Sequence, residues 1–79
     1  MTIDYARAQK VFRAAKGALT RAKKKGPQAV IAACTKAERD FTATGPWPDA
    51  WSNWARAYDD AAYELRRTGG DAPSNPFHR

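Results

Sequence analysis

The side chains that most often carry chemistry in proteins are few in this chain and far apart. Histidine occurs once, as His78, and cysteine occurs once, as Cys34, so a nucleophile–base pair would need the C-terminus to fold back. A metal site needs several such ligands at short spacings, and the sequence does not supply them. We therefore expect no catalytic residues, no cofactor and no metal. We interpret Cys34 as a small buried apolar side chain.

Carboxylates cluster in the last third of the chain, and their spacing argues against acid–base catalysis. Asp59 and Asp60 are adjacent, and adjacent residues of a helix point about 100° apart, which is poor geometry for a shared proton. Asp60 and Glu64 are spaced i,i+4 and are flanked by Arg56 and Arg67. A surface cluster of ion pairs explains this spacing. The sequence thus predicts a protein that is not an enzyme.

Glycine and proline divide the chain into three segments with helical periodicity. The first covers about residues 3–24, and its apolar seam is formed by Tyr5, Ala8, Phe12, Ala15, Leu19 and Ala22. The second covers 27–44, with a seam of Val30, Cys34, Ala37 and Phe41. The third covers 48–68, with a stripe of Trp47, Trp51, Trp54, Tyr58, Ala61, Ala62 and Leu65.

The signals at the segment ends predict one small domain followed by a tail. Thr2 is the expected N-cap of the first helix, and Gly26-Pro27 separates it from the second. Short connections join antiparallel neighbours, so we expect an all-α, antiparallel three-helix bundle over residues 1–68. Residues 69–79 contain two prolines and lack periodicity, which predicts a disordered, flexible tail. Within the bundle we expect Phe12 and Trp54 to be buried.

The predicted core is thin, because large aliphatic residues are few and alanine fills the seams of the first two helices. Seventy-nine residues also bury a smaller fraction of their surface than larger domains do. A homodimer is therefore a further expectation. The alternative to the bundle is an open helical hairpin that completes its core by dimerising.

The basic charge is concentrated in the first helix. Residues 1–25 hold eight cations against Asp4, a net +7, whereas residues 26–79 hold six cations and seven anions, a net −1. On a helical wheel the cations lie opposite the apolar seam: Arg7, Lys10, Arg13, Lys16, Arg21, Lys23, Lys24 and Lys25. We interpret this basic face as a partner-binding surface for an anionic partner. The alternative is a solvated face that keeps a small protein in solution.

The third helix carries a second candidate surface. Tyr63 projects from the side opposite the apolar stripe, near Arg56 and Arg67, a combination typical of protein contacts. An isolated surface tyrosine is the simpler alternative. The leading hypothesis is a non-catalytic helical protein that binds another protein. The alternatives are generic nucleic-acid binding, in which the basic helix contacts phosphates, and a self-assembling structural component.

One stretch of the third segment carries a resemblance. Residues 47–61 fit the pattern W-P-D-x-W-x-x-W-x-x-A-x-D-D-A. The pattern resembles one in short proteins of actinobacteria and their phages, including mycobacteriophages, and the resemblance extends over residues 41–65. It implies a small intracellular protein and assigns no activity. With no visible signal peptide, we expect a cytoplasmic location, in the host cytoplasm if a phage encodes the chain.

Overall fold

Three α-helices make up the fold. The computed structural model describes residues 4–45 and 47–78, and the helices are α1 (Tyr5–Lys25), α2 (Pro27–Thr44) and α3 (Trp51–Arg67). No strand occurs within these two ranges. The all-α class and the three-helix organisation predicted from the sequence are confirmed.

Asp4, not the predicted Thr2, caps α1. The Asp4 carboxylate accepts a hydrogen bond from the backbone N–H of Arg7 at 3.0 Å, and its charge is favourable near a helix N-terminus. Thr2 lies outside the described residues. At the other end, Gly26 has a φ of 119°, a conformation that glycine adopts without strain, and Pro27 begins α2.

α3 begins at Trp51, three residues later than the sequence predicted. The backbone N–H of Trp51 donates to the C=O of Pro48 at 2.9 Å, so a turn precedes the helix. Trp47 consequently lies on the connection, and its indole Nε1–H donates to Thr42 Oγ1 at 3.1 Å. Trp47 belongs to the predicted apolar stripe of the third helix, but in the structure it precedes α3. Its contacts therefore do not follow from the helical wheel.

The core is centred on Trp54, and α1 and α3 each pack mainly against α2. Trp54 is 2% exposed, and its ring meets Phe41 at 5.1 Å and Phe12 at 5.4 Å between centroids, both edge to face. Phe12 and Phe41 lie at nearly equal sequence distances on either side of Gly26. Burial of Trp54 is confirmed. Phe12 was also expected to be buried but is only half-buried, because it lines an open groove.

Residues 69–78 pack against α3, which corrects the expectation of a disordered, flexible tail. Gly69, with a φ of 91°, turns the chain back, and the N–H of Gly70 donates to the C=O of Leu65 at 2.7 Å. Ala72 and Phe77 are only 8% and 2% exposed. Lack of periodicity led to the wrong expectation, because a turn segment can dock through one buried aromatic side chain and a few hydrogen bonds.

Candidate interaction surfaces

The structure exposes all eight predicted basic residues of α1: Arg7, Lys10, Arg13, Lys16, Arg21, Lys23, Lys24 and Lys25. They spread over a broad arc of the helix. Lys16 and Lys23 stand at the edge of a groove that faces α3. Arg13 and Lys24 project on the side of α1 opposite the buried Leu19. The outer side of α1 therefore presents cations without an apolar floor beneath them.

The groove between α1 and α3 has a volume of about 620 Å³. Its floor is apolar and already largely buried, and includes Leu19, Val30, Trp54, Ala57 and Ala61. Its α1 edge is basic, and its α3 edge carries Arg56, Asp60 and Glu64. Of the predicted ion-pair cluster, Asp60 and Glu64 both line the groove, and Glu64 also pairs with Arg67.

The outer face of α3 presents Tyr63, Arg56 and Arg67, the three residues predicted there. Tyr63 is 68% exposed, and both arginines are exposed. Nη2 of Arg67 lies 2.7 Å from Oε1 of Glu64, and this hydrogen bond raises the pKa of the guanidinium above its ordinary value. Because both side chains are largely in solvent, the pair orients Arg67 more than it stabilises the fold.

Cys34 has no exposed surface, which confirms its predicted position in the core. Burial raises the pKa of its thiol to about 11, so the nucleophilic thiolate is scarce at neutral pH. His78, the other residue considered for nucleophilic chemistry, pairs with Asp59 instead. Within residues 4–45 and 47–78, no group of three or more metal-ligating side chains comes together.

Two tryptophans and the tail form a site that the sequence did not predict. The ring of Phe77 lies against Trp47 at 5.3 Å and against Trp51 at 6.2 Å, and the tryptophan rings lie 5.5 Å apart. We call the space between the tryptophan rings and α3, where Phe77 is held, the tryptophan cleft. Its occupant is a turn over residues 75–78, closed by a hydrogen bond from the His78 N–H to the Asn75 C=O at 3.3 Å.

Polar contacts fix this turn on α3. Nδ2 of Asn75 donates to the C=O of Ala55 at 2.9 Å and to Oδ1 of Asp59 at 3.0 Å. Nε2 of His78 lies 2.8 Å from Oδ2 of Asp59. The hydrogen bonds of Asn75 and then of His78 lower the pKa of the Asp59 carboxyl below its ordinary value. Upstream, the Tyr58 hydroxyl donates to the C=O of Pro73 at 2.7 Å.

Two sequence signals could have indicated the tryptophan cleft. Asn75-Pro76 is a favoured start of a β-turn, with asparagine first and proline second. Ala55 and Ala62 also make the apolar face of α3 wider than a single neighbouring helix can cover. Both are buried, so a second packing element is needed. At helical spacing the aromatic stripe indicates helical core, so it does not by itself predict a contact of Trp47 and Trp51 with the tail.

Comparison with known proteins adds no relative: no family model, curated protein or solved structure matched this chain. No helix among the described residues is both long and apolar enough to span a bilayer.

Proposed function

We propose that this chain is a non-catalytic helical interaction protein that binds another protein through the outer face of α3. The supporting observation is Tyr63, which is 68% exposed, whereas Trp54 and Tyr58 on the same helix are 2% and 1% exposed. Tyrosine and arginine are the side chains enriched at the centres of protein interfaces. A partner of matching chemistry offers an apolar pocket for the tyrosine ring and carboxylates for Arg56 and Arg67.

The position of Tyr63 on α3 favours this face over the others. One side of the helix lines the groove through Ala57 and Asp60, and another side carries the tail through Ala55 and Asp59. By helical geometry Tyr63 projects between these two sides. A partner could therefore contact Tyr63 without displacing any packed element.

Site-specific photo-crosslinking tests the proposal. A photoreactive phenylalanine derivative replaces Tyr63 in the full chain, in cells that produce it, and the matched control places it at Arg39, an exposed residue of α2. We expect a protein adduct of discrete mass at position 63 that is lost when Arg56→Ala and Arg67→Ala are added. Equal labelling at both positions, or no protein adduct at position 63, would contradict the proposal.

Nucleic-acid binding through α1 is the second candidate, supported by the eight exposed cations. Phosphate contacts make such binding steeply dependent on salt, so affinity should fall about 10³-fold from about 50 to about 200 mM salt for about six contacts. Changing Lys10, Arg13 and Lys24 together to glutamine should flatten the salt slope by about one unit per lost contact. Arg39→Gln is the control. No duplex retention at about 50 mM salt excludes this candidate.

The resemblance of residues 47–61 extends the proposal to origin. We propose an accessory protein of an actinobacterium or of one of its phages. For a phage protein, the partner at the Tyr63 face would be a protein of the host.

A further inference from the structure

The tryptophan cleft holds its occupant by one deeply buried anchor. Phe77 is 2% exposed, with Trp47 inclined to it by 64° and Trp51 nearly parallel to it at 11°. Aromatic pairs in such geometries add stabilisation beyond the area they bury. A smaller side chain at this position would leave both tryptophans in contact with water.

The contacts made at position 75, two residues before Phe77, are specific for asparagine. The Asn75 amide donates to the Ala55 C=O and to Asp59, while its Oδ1 accepts from the N–H of Phe77 at 2.9 Å. Aspartate has no donor for α3, and it would place a second carboxylate beside Asp59. Glutamine is one methylene longer, so its amide would not match the same three partners.

Proline and histidine complete the recognised segment. Pro76 occupies the second position of the turn, where its fixed φ reduces the entropy that docking costs. The His78 ring meets Asp59, and both side chains remain more than half exposed, at 60% and 54%. This outer contact is therefore replaceable by other basic side chains, whereas the Asn-Pro-Phe part is closely defined.

The chain's own tail is a tethered occupant. It joins α3 through Gly69 and Gly70, and its polar contacts with Asp59 lie near solvent. Because the tail is joined directly to α3, its effective concentration at the cleft is in the mM range, and any other occupant must displace it. A segment of the same chemistry from another chain competes for the same contacts when the tail is open.

We infer that the tryptophan cleft is a docking site for an Asn-Pro-Phe turn of a partner protein, and that residues 75–77 occupy it when no partner is bound. The inference rests on the proposed function, since it requires that the protein act by binding proteins. It does not require the Tyr63 face. Asp59 favours partner segments with a cationic side chain directly after the phenylalanine.

A peptide titration tests the inference on the full chain. The Phe77→Ala chain removes the tethered anchor, and the probe is a synthetic peptide with the sequence of residues 71–79, followed by tryptophan emission. We expect saturable binding with a blue shift as Trp47 and Trp51 are covered again. The wild-type chain should bind at least about tenfold more weakly, because its own tail competes.

Matched peptides establish which contacts matter. A peptide with alanine in place of Asn75, and one with Pro76 and Phe77 exchanged, should each bind the Phe77→Ala chain at least about tenfold more weakly. Equal affinity for these peptides, or equal affinity of the two chains for the original peptide, overturns the inference. If Phe77→Ala does not fold, the Asn75→Ala chain takes its place with the same expectations.

Two further outcomes would also overturn the inference that the tryptophan cleft is a docking site. One is the absence of saturable binding by a variant chain that keeps its helical circular dichroism. The other is a concentration-dependent dimer of the wild-type chain that Phe77→Ala abolishes, which would assign the cleft to the tail of a second copy. Crosslinking at Tyr63 is read separately, so failure of peptide binding is distinguishable from failure of the proposed function.

Discussion

Phe77 stacks on Trp51, with ring planes inclined by 11° and centroids 6.2 Å apart. This contact joins the last described turn of the chain to the start of α3. It also explains how Trp47 and Trp51 are shielded although they lie at the edge of the helical core. α3 therefore packs on α2 on one side and on the tail on another.

Replacing Phe77 by alanine should lower the free energy of unfolding by about 1–3 kcal/mol. This is less than the about 3–5 kcal/mol typical of aromatic truncation in a core, because the tail can detach while the helices stay packed. Tryptophan emission should shift to the red as Trp47 and Trp51 become hydrated. Urea unfolding followed by emission and circular dichroism measures both effects, with the exposed Ser74→Ala as control. An unchanged free energy of unfolding together with an unchanged emission maximum would contradict the docked tail.

Substitutions of Trp54 and Phe12 should differ in cost. Trp54→Ala should lose about 3–5 kcal/mol, enough to unfold a small domain, whereas the half-buried Phe12→Ala should lose about 1–2 kcal/mol. The buried Nε1 of Trp54 has no hydrogen-bond partner among the described residues. Trp54→Phe removes that donor and should therefore cost less than Trp54→Ala. Equal midpoints for Trp54→Ala and Phe12→Ala in urea would contradict the observed packing.

The helices followed from the sequence because their signals are local. Gly26-Pro27 ends one helix and begins the next through backbone conformation alone, and the seam with Cys34 and Phe41 repeats at helical spacing. These features depend on residues within one or two turns of each other. Interactions between residues close in sequence were therefore enough to predict the number of helices and most of their bounds.

The tail and the tryptophan cleft depend on contacts between residues that are distant in sequence. Asn75 bonds to Ala55 and Asp59, and Phe77 meets Trp47, so no periodic pattern within either segment reveals the pairing. Phe12 was misjudged for a related reason. Phe12 does lie on the apolar side of α1, as the seam predicts. How much of its ring is exposed depends on how α3 lies beside α1, which the seam does not reveal. The exposure of Tyr63, in contrast, follows from its own helix.

Cys34 should be unreactive in the folded protein. Burial raises the pKa of its thiol from 9.0 to about 11, and a pKa raised on folding stabilises the folded state below the ordinary value. That contribution is lost as pH rises through about 11. A thiol reagent at about pH 8 should label Cys34 only at the rate at which the chain opens, and fully in urea. Rapid labelling of the native chain would contradict the burial.

Docking of the tail should weaken in acid through Asp59. The pKa of Asp59 is lowered when Asn75 and His78 are docked, so the carboxylate stabilises docking above its ordinary pKa of 3.8. That stabilisation is lost as pH falls through the lower value. Tryptophan emission should therefore shift to the red as pH falls below about 4. The shift should disappear in Asp59→Asn and persist in Asp60→Asn, whose side chain lies at the groove.

The most direct test of how α3 organises this protein is a nuclear Overhauser measurement between Phe77 and the tryptophan indoles in the labelled full chain. Centroid distances of 5.3 Å to Trp47 and 6.2 Å to Trp51 predict cross-peaks from the Phe77 ring to both indoles. The amide of Phe77, which donates to Asn75 Oδ1, should also exchange slowly. Random-coil shifts for residues 71–78 without these cross-peaks, in a chain whose helices are intact, would contradict the docked tail and the cleft it occupies.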